Sequence, residues 1–130
     1  HTIKNQMNEN AKNFSAIFDL PELNHHLLEG LAHPSSNANN LFFVLLNSPL
    51  YESRIRQRLA ITEEVIKKNQ VESWTLMAEG GSEIAQAFSV IQFGSLVNFY
   101  LSMLYELDPA PIPWVDYFKV KLGQSLGQWK

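Results

Sequence analysis

The stretch LFFVLLNSP, residues 41–49, decides the fold class of this sequence. Its first six residues, Leu41 to Leu46, are all apolar, and Asn47-Ser48-Pro49 ends the run. A short apolar run bounded by turn residues is typical of a central parallel strand that is covered on both faces. We therefore predict a buried strand over 41–46, with Asn47 or Ser48 as the cap of the following helix.

The residues after this run continue an alternation of helix and strand. A helix is predicted from about Tyr51 to Asn69, because apolar residues recur there at helical spacing. Its inner side comprises Ile55, Leu59, Ile61, Val65 and Ile66, and its outer side carries the pairs Glu63–Lys67 and Glu64–Lys68. A strand over 74–78 and a long helix over 84–105 follow. The proline-rich linker 108–113 then leads to a closing helix over about 114–126.

The residues before the run show the same alternation. A helix is predicted over 2–13, with Ile3, Met7, Ala11 and Phe14 on its apolar face and Glu9 turned away from it. A short strand over 15–20 comes next. A second helix runs from Pro21 to about Leu31, and a polar loop over 34–40 connects it to the central strand.

Strands that alternate with helices predict a parallel sheet with helices on both faces. The predicted fold class is therefore α/β, a three-layer α/β/α sandwich with a short parallel sheet, in one domain over 1–130. Three strands are few for such a sheet, and the chain opens with His1-Thr2-Ile3 rather than with Met. We expect sequence before His1 and a domain truncated at its N-terminal side.

Composition narrows the class of protein. The 130 residues are 45% hydrophobic and 18% charged, which is typical of a globular domain. A net charge of −3 argues against a nucleic-acid partner, which requires a concentrated basic surface. The absence of cysteine excludes disulfides and thiolate chemistry, and it fits a reducing, cytoplasmic location.

The segment from Ile84 to Tyr105 contains no charged residue and is long enough to span a bilayer. Its polar residues, however, recur at helical spacing and form one stripe: Gln86, Ser89, Gln92, Ser95, Asn98 and Ser102. Such a stripe favours a helix packed against protein over a membrane helix. Because apolar residues cover nearly all the rest of the helix, we also expect a second partner, and self-association of the chain.

Other local patterns predict no site. His25, His26 and His33 lack the spacing of a metal centre, so no metal is expected. Gly80-Gly81-Ser82 resembles a phosphate-binding turn only weakly and is interpreted as an ordinary turn. No Gly-x-Ser-x-Gly segment is present, so the sequence offers no esterase nucleophile.

Two motifs carry a resemblance to a known family. Asn8-Glu9-Asn10-Ala11-Lys12, followed by Pro21-Glu22-Leu23-Asn24-His25, resembles the bifunctional phosphoglucose/phosphomannose isomerases. The resemblance is to their C-terminal SIS (sugar isomerase) domain. It continues to Asp108-Pro109 and Tyr117-Phe118-Lys119, and so covers most of this chain.

The resemblance implies roles for three residues. Glu9 would be the base that moves a proton between neighbouring sugar carbons through an enediolate, and His25 would open the sugar ring. Lys119 would be the cation near the ring oxygen and hydroxyls. The resemblance further implies a phosphorylated hexose as substrate, no metal or organic cofactor, an N-terminal SIS domain in the same protein, and a homodimer.

Two questions stay open at this point. The family's phosphate-binding Ser/Thr loops belong to its first SIS domain, so this chain alone is expected to be inactive. Ala110 stands where relatives often carry a small polar residue, which leaves acceptance of both glucose and mannose epimers undecided. The alternative function is a non-catalytic SIS-like module that binds a phosphosugar or only dimerises.

Overall fold

A computed structural model describes residues 1–128. The elements are α1 (Thr2–Glu9), α2 (Glu22–Gly30), α3 (Asn37–Asn40), β1 (Phe42–Asn47), α4 (Ser53–Lys68), β2 (Glu72–Met77), α5 (Glu83–Leu104) and α6 (Pro113–Ser125). The chain forms two compact units, one of residues 17–93 and the other of residues 1–16 with residues from 94 onward. The division falls within α5.

The sheet lies in the unit of residues 17–93. Strands β1 and β2 pair in parallel, from Phe42 opposite Glu72 to Asn47 opposite Met77, with α4 as the crossover between them. The α/β class and the short parallel sheet predicted from the sequence are confirmed. Each strand is displaced slightly from its prediction, since β1 begins at Phe42 and β2 already at Glu72.

The core of this unit joins α2 and α4 to one face of the sheet. Its buried members come from β1, from α4 and from the residues just after α2 and just before β2: Leu31, Leu45, Leu59, Ile66 and Val71. Leu27 and Leu28 of α2 and Phe43 of β1 pack against this cluster. Burying a leucine-sized side chain contributes about 1.5–3 kcal/mol, so this core fixes the helix that carries His25.

The opposite face of the sheet is largely open. Phe42, Val44 and Leu46 of β1 are exposed, although the apolar run predicted a strand covered on both faces. On this face Trp74 contacts Phe93 of α5, with ring centroids 5.5 Å apart. The prediction of full coverage was therefore wrong for the described residues, because α5 reaches this face mainly at Trp74. Ile61, predicted on the inner side of α4, is also 50% exposed.

The predicted strand over 15–20 is absent from the described structure. The Asn8 side chain explains the start of this segment, because its Nδ2 donates to the Ser15 carbonyl at 2.8 Å and its Oδ1 accepts from the Ser15 N–H at 3.2 Å. The backbone groups of Ser15 are thereby paired with a side chain instead of a neighbouring strand. Ile17 and Phe18 remain exposed.

Helix α1 ends at Glu9 rather than at Asn13. Asparagine is a poor helix former because its amide competes for nearby backbone groups, as Asn8 does here. Lys12 then adopts a left-handed conformation with φ of +53°, which turns the chain away from the helix axis. Phe14, predicted on the apolar face, is consequently exposed.

Smaller differences concern the segments next to the helices. The predicted polar loop over 34–40 contains the single turn α3. Ser48 does not cap α4, since its Oγ accepts from the Leu50 N–H at 2.9 Å. Gly80, with φ of +128°, lies in the bend before α5.

Helix α5 is long and apolar enough to cross a membrane by length and composition. Its predicted polar stripe nevertheless contacts protein, because Gln86, Asn98 and Ser102 are buried. Gln86 Oε1 accepts from Ser48 Oγ at 2.5 Å, and Ser102 Oγ donates to the Asn10 carbonyl at 3.3 Å. These bonds are those of a helix packed within a protein. Several apolar side chains of α5 stay exposed, among them Ile84, Phe88, Phe99, Met103 and Leu104.

Candidate active site

Glu9 is the last residue of α1, and it is exposed. Two contacts place its helix on the second half of α5. Gln6 Nε2 donates to Ser95 Oγ at 3.0 Å. Gly94 lies so close to Ile3 that a Cβ on the glycine would overlap that side chain. The missing side chain at Gly94 therefore permits the close approach of α1.

The residues after Glu9 are bonded to the proline-rich linker. The Lys12 ammonium donates to the Glu9 carbonyl, to the Pro111 carbonyl at 2.5 Å and to the Pro109 carbonyl at 3.5 Å. Asn10 Nδ2 donates to the Pro109 carbonyl at 3.3 Å. The structure thus brings the segment that carries Glu9 together with the linker that precedes α6.

Lys119 lies in the middle of α6, in the same unit as Glu9, and is exposed. The linker before this helix is shaped by Asp108, whose Oδ1 accepts from the Ala110 N–H at 2.9 Å. An exposed ammonium on a helix that follows a fixed linker is free to approach a bound anion or hydroxyl group.

His25 lies in the first half of α2, in the other unit. The residue before it, Asn24, anchors the helix to α4, since its Nδ2 donates to Thr62 Oγ1 at 2.6 Å. Thr62 is fully buried and donates in turn to the Arg58 carbonyl at 2.8 Å. With Leu23 buried beside them, these bonds fix the start of the helix and leave the His25 imidazole exposed.

An open pocket of about 420 Å³ surrounds His25. It is lined by Pro21, Glu22, Asn24, His25, His26 and Arg58. The two imidazoles meet edge to face with centroids 4.5 Å apart, and Asn24 Oδ1 is a buried acceptor without a partner among the described residues. The pocket thus offers imidazole and guanidinium groups to a small ligand, whereas Asn24 Oδ1 is buried away from solvent.

Residues 1–128 contain no cluster of three His, Asp or Glu side chains that could hold a metal ion. The structure describes Glu9 and Lys119 in one unit and His25 in the other. The roles of the three residues remain predictions.

Sequence reasoning did not identify the residues that support the predicted site. Lys12 belongs to the motif that carries Glu9, yet no role followed from its position. Its bonds cross from residue 12 to the carbonyls of Pro109 and Pro111, and no local pattern encodes such a contact. The role of Thr62 was not predicted either, because a single threonine in an amphipathic helix does not indicate which side chain it will bond.

Known proteins are similar to this chain over most of its length. The family model "Bacterial phospho-glucose isomerase C-terminal SIS domain" matches residues 1–122. The chain is 31% identical over 121 residues to a protein named bifunctional phosphoglucose/phosphomannose isomerase from Caldicellulosiruptor bescii, covering 93% of this chain and 36% of that protein. It is 28% identical over 119 residues to the protein of the same name from Aquifex aeolicus, covering 92% of this chain and 37% of the relative.

The protein of that name from Thermoplasma acidophilum is 28% identical over 120 residues, again with 92% of this chain and 37% of the relative covered. The chain thus spans little more than a third of the length of these curated relatives. No solved structure matches it. Since the family model covers nearly the whole sequence, this chain belongs to the family of bacterial phospho-glucose isomerase C-terminal SIS domains.

Proposed function

We propose that the protein carrying this chain interconverts glucose 6-phosphate and fructose 6-phosphate, and that this chain supplies its C-terminal SIS domain. Mannose 6-phosphate is the second aldose, in keeping with the bifunctional name of the relatives. The observation that carries the proposal is the family match over residues 1–122. Because the chain spans 36% of one relative and 37% of another, the activity belongs to the whole protein.

In this proposal Glu9 is the general base. Isomerising an aldose to a ketose moves a proton between neighbouring carbons through an enediolate, which requires a carboxylate held near the acidic carbon. The exposed carboxylate of Glu9 at the end of α1 is accessible to a substrate. Its own backbone carbonyl accepts from Lys12, which supports a fixed position for this residue.

His25 is proposed to open the sugar ring. Ring opening needs a group that exchanges a proton with the ring oxygen near neutral pH, and imidazole is the side chain best suited to that exchange. The pocket around His25 and the anchoring of its helix through Asn24 and Thr62 support this role.

Lys119 is proposed to stabilise negative charge that develops on substrate oxygens. Its exposed position on α6 leaves the ammonium accessible. The mechanism proposed here uses no metal or organic cofactor, since a carboxylate, an imidazole and an ammonium supply every proton transfer and charge contact.

Three partners complete the proposal: a phosphorylated hexose, an N-terminal SIS domain of the same protein, and a second subunit. The length of the relatives beyond the matched region supports the additional domain. The exposed apolar residues of α5 and of β1 support further protein contacts, since large apolar patches are a usual mark of interfaces. We place the enzyme in the cytoplasm.

The decisive experiment replaces the proposed base in the full-length protein. Glu9→Gln keeps the shape of the side chain but cannot accept the proton, so isomerisation should fall by about 10²–10⁴-fold while substrate affinity changes only slightly. A coupled assay measures turnover, and loss of the C2 proton in heavy water reports the abstraction step directly. Glu106→Gln, an exposed carboxylate of the same unit, serves as the matched control.

Retained exchange at C2 in Glu9→Gln would remove Glu9 from the base role. A wild-type protein that binds hexose phosphate without isomerising it would contradict the enzymatic function. That result would favour the non-catalytic phosphosugar-binding module instead.

A further inference from the structure

The Lys12 side chain makes an unusual set of contacts for a surface lysine. An ammonium group has three N–H donors and no acceptor. In this structure three backbone carbonyls surround it, those of Glu9, Pro109 and Pro111. One of these ends the helix that carries the proposed base, and the other two belong to the linker before α6. Lys12 therefore connects two segments that are far apart in the sequence.

The backbone of Lys12 makes this connection geometrically feasible. Its φ of +53° lies in the left-handed region, which residues other than glycine adopt uncommonly. Such a conformation persists where surrounding contacts hold it, and it is a recurrent feature of functional sites. Neighbouring bonds provide those contacts, since Asn10 Nδ2 reaches the Pro109 carbonyl and Asn13 Nδ2 reaches Tyr105 Oη at 3.2 Å.

The composition of the linker explains why an external donor is needed. Pro109, Pro111 and Pro113 have no backbone N–H, so this segment cannot form a regular hydrogen-bond ladder of its own. The linker carbonyls therefore need hydrogen-bond donors from other segments. Lys12, in the segment next to Glu9, supplies N–H donors to two of them. Pro113 is the first residue of α6, so the position of the linker determines where that helix begins. It thereby also determines where Lys119 lies.

We propose that Lys12 is a positioning residue of the isomerase: its ammonium fastens the main chain at Glu9 to the 108–113 linker and so fixes both in one arrangement. This inference rests on the function proposed above. The lysine acts through the backbone at Glu9 and through the linker, and it does not touch the substrate.

The test uses the full-length protein and the variant Lys12→Met, which keeps an unbranched side chain but removes the charge and all three donors. Displacing a catalytic group by about 1 Å costs on the order of 10²-fold in rate. We therefore expect kcat to fall by about 10–100-fold with little change in KM. Hydrogen–deuterium exchange in the peptide spanning 108–116 should rise in the same variant.

Two further variants sharpen the interpretation. Lys12→Arg keeps a charged donor and should recover part of the lost kcat, although a planar guanidinium cannot reproduce a three-way contact. Lys68→Met is the matched control, because Lys68 pairs with Glu64 on the exposed side of α4, in the other unit. It should change neither kcat nor exchange in the linker.

Several outcomes would overturn the proposal: an unchanged kcat in Lys12→Met, a lower kcat without faster exchange in the linker, or a change confined to KM. If Lys12→Met does not fold, Asn10→Ala removes one bond to Pro109 and should lower kcat by about fivefold, near the value of one neutral hydrogen bond. No change in Asn10→Ala would likewise overturn it. An inactive wild-type protein would refute the proposed function itself, whereas an active wild type with an equally active Lys12→Met refutes only the role of Lys12.

Discussion

Glu9 and His25 are held in place by different kinds of interaction. Helix α1, which ends at Glu9, contains no buried side chain, and the residues after it are fixed by hydrogen bonds from Asn10 and Lys12 to backbone carbonyls. Helix α2, which carries His25, buries Leu23, and the residue after its end, Leu31, belongs to the hydrophobic core. The segment around Glu9 thus relies mainly on directional bonds, whereas the helix of His25 combines a hydrophobic core with the bond from Asn24 to Thr62.

This difference predicts different consequences of mutation. Hydrogen bonds to a surface segment contribute little net stability but define a direction, so their loss should alter catalysis before it alters folding. Burial of apolar surface stabilises the whole unit but does not orient a particular group. Changes beneath α2 should therefore lower the free energy of unfolding before they alter catalysis. The following experiments test this contrast, beginning with the largest effect.

His25→Ala in the full-length protein should impair the cyclic substrate far more than the open-chain form. Loss of a proton-transferring group costs about 10²–10⁴-fold in rate, and only the cyclic form needs ring opening. Because the imidazole is exposed, we expect the midpoint of urea unfolding to stay unchanged. His33→Ala is the control, because His33 is exposed and does not line the pocket around His25. Equal losses with both substrate forms would identify His25 as a structural residue.

Gly94→Ala tests the closest packing contact of α1. The added Cβ would overlap the Ile3 side chain, so that side chain or its helix must shift, and overpacking of this kind costs about 1–3 kcal/mol. Gly30→Ala is the matched control, because nothing lies within 4 Å of the position that its Cβ would take and alanine favours a helix. Urea unfolding compares the two. A Gly94→Ala protein as stable as the control would show that α1 is held by its polar bonds alone.

Thr62→Val tests the anchor beneath His25. Valine keeps the shape of threonine but leaves Asn24 Nδ2 without its acceptor, which should cost about 1–2 kcal/mol of unfolding free energy. Thr75→Val is the control, since Thr75 Oγ1 is buried without a partner among the described residues and its loss should be neutral or stabilising. Equal destabilisation by both substitutions would contradict the anchoring role of Thr62.

Glu64→Gln, on the outer side of α4, should have the smallest effect. The hydrogen bond from Lys68 lowers the pKa of Glu64 and raises that of Lys68, but both groups are fully exposed. A lowered carboxyl pKa contributes stability above the ordinary value of 4.5 and loses it as the pH falls through the folded-state pKa. We expect wild type and variant to melt alike at neutral pH, with any difference vanishing in acid. A large difference at pH 7 would mean that the outer side of α4 also supports the unit.

Much of the fold was predictable where a single segment carries the signal. Helix α4 has a clear apolar periodicity and α5 is a long run without charge from Ile84 onward, and the bounds of both lie close to the prediction. The pairs Glu63–Lys67 and Glu64–Lys68 are both present at 2.8 Å, as the i,i+4 spacing indicated. The apolar run over 41–46 likewise predicted a strand in a parallel sheet.

What could not be predicted depends on contacts between distant segments. The run over 15–20 has the composition of a strand, but a strand needs a neighbour, and Asn8 occupies the backbone groups of Ser15 instead. The exposure of one face of β1 could not be predicted from its sequence either, because an apolar run does not indicate which segment will cover each face. Resemblance to a family made Glu9 and His25 candidates, but only the structure shows Lys12 beside the carbonyls of Pro109 and Pro111.

The two-stranded sheet has a consequence for how this chain behaves in isolation. Within the described residues, each strand has a single neighbour, so each leaves one row of backbone N–H and C=O groups available to another chain. Natural edge strands are usually protected by lysine, proline or a bulge, and β1, with the sequence FFVLLN, has none of these residues. The chain should therefore aggregate through strand pairing when residues 1–130 are produced alone. Val44→Lys would place a charge at an exposed position of β1, oppose pairing with another strand, and so raise the solubility of the chain.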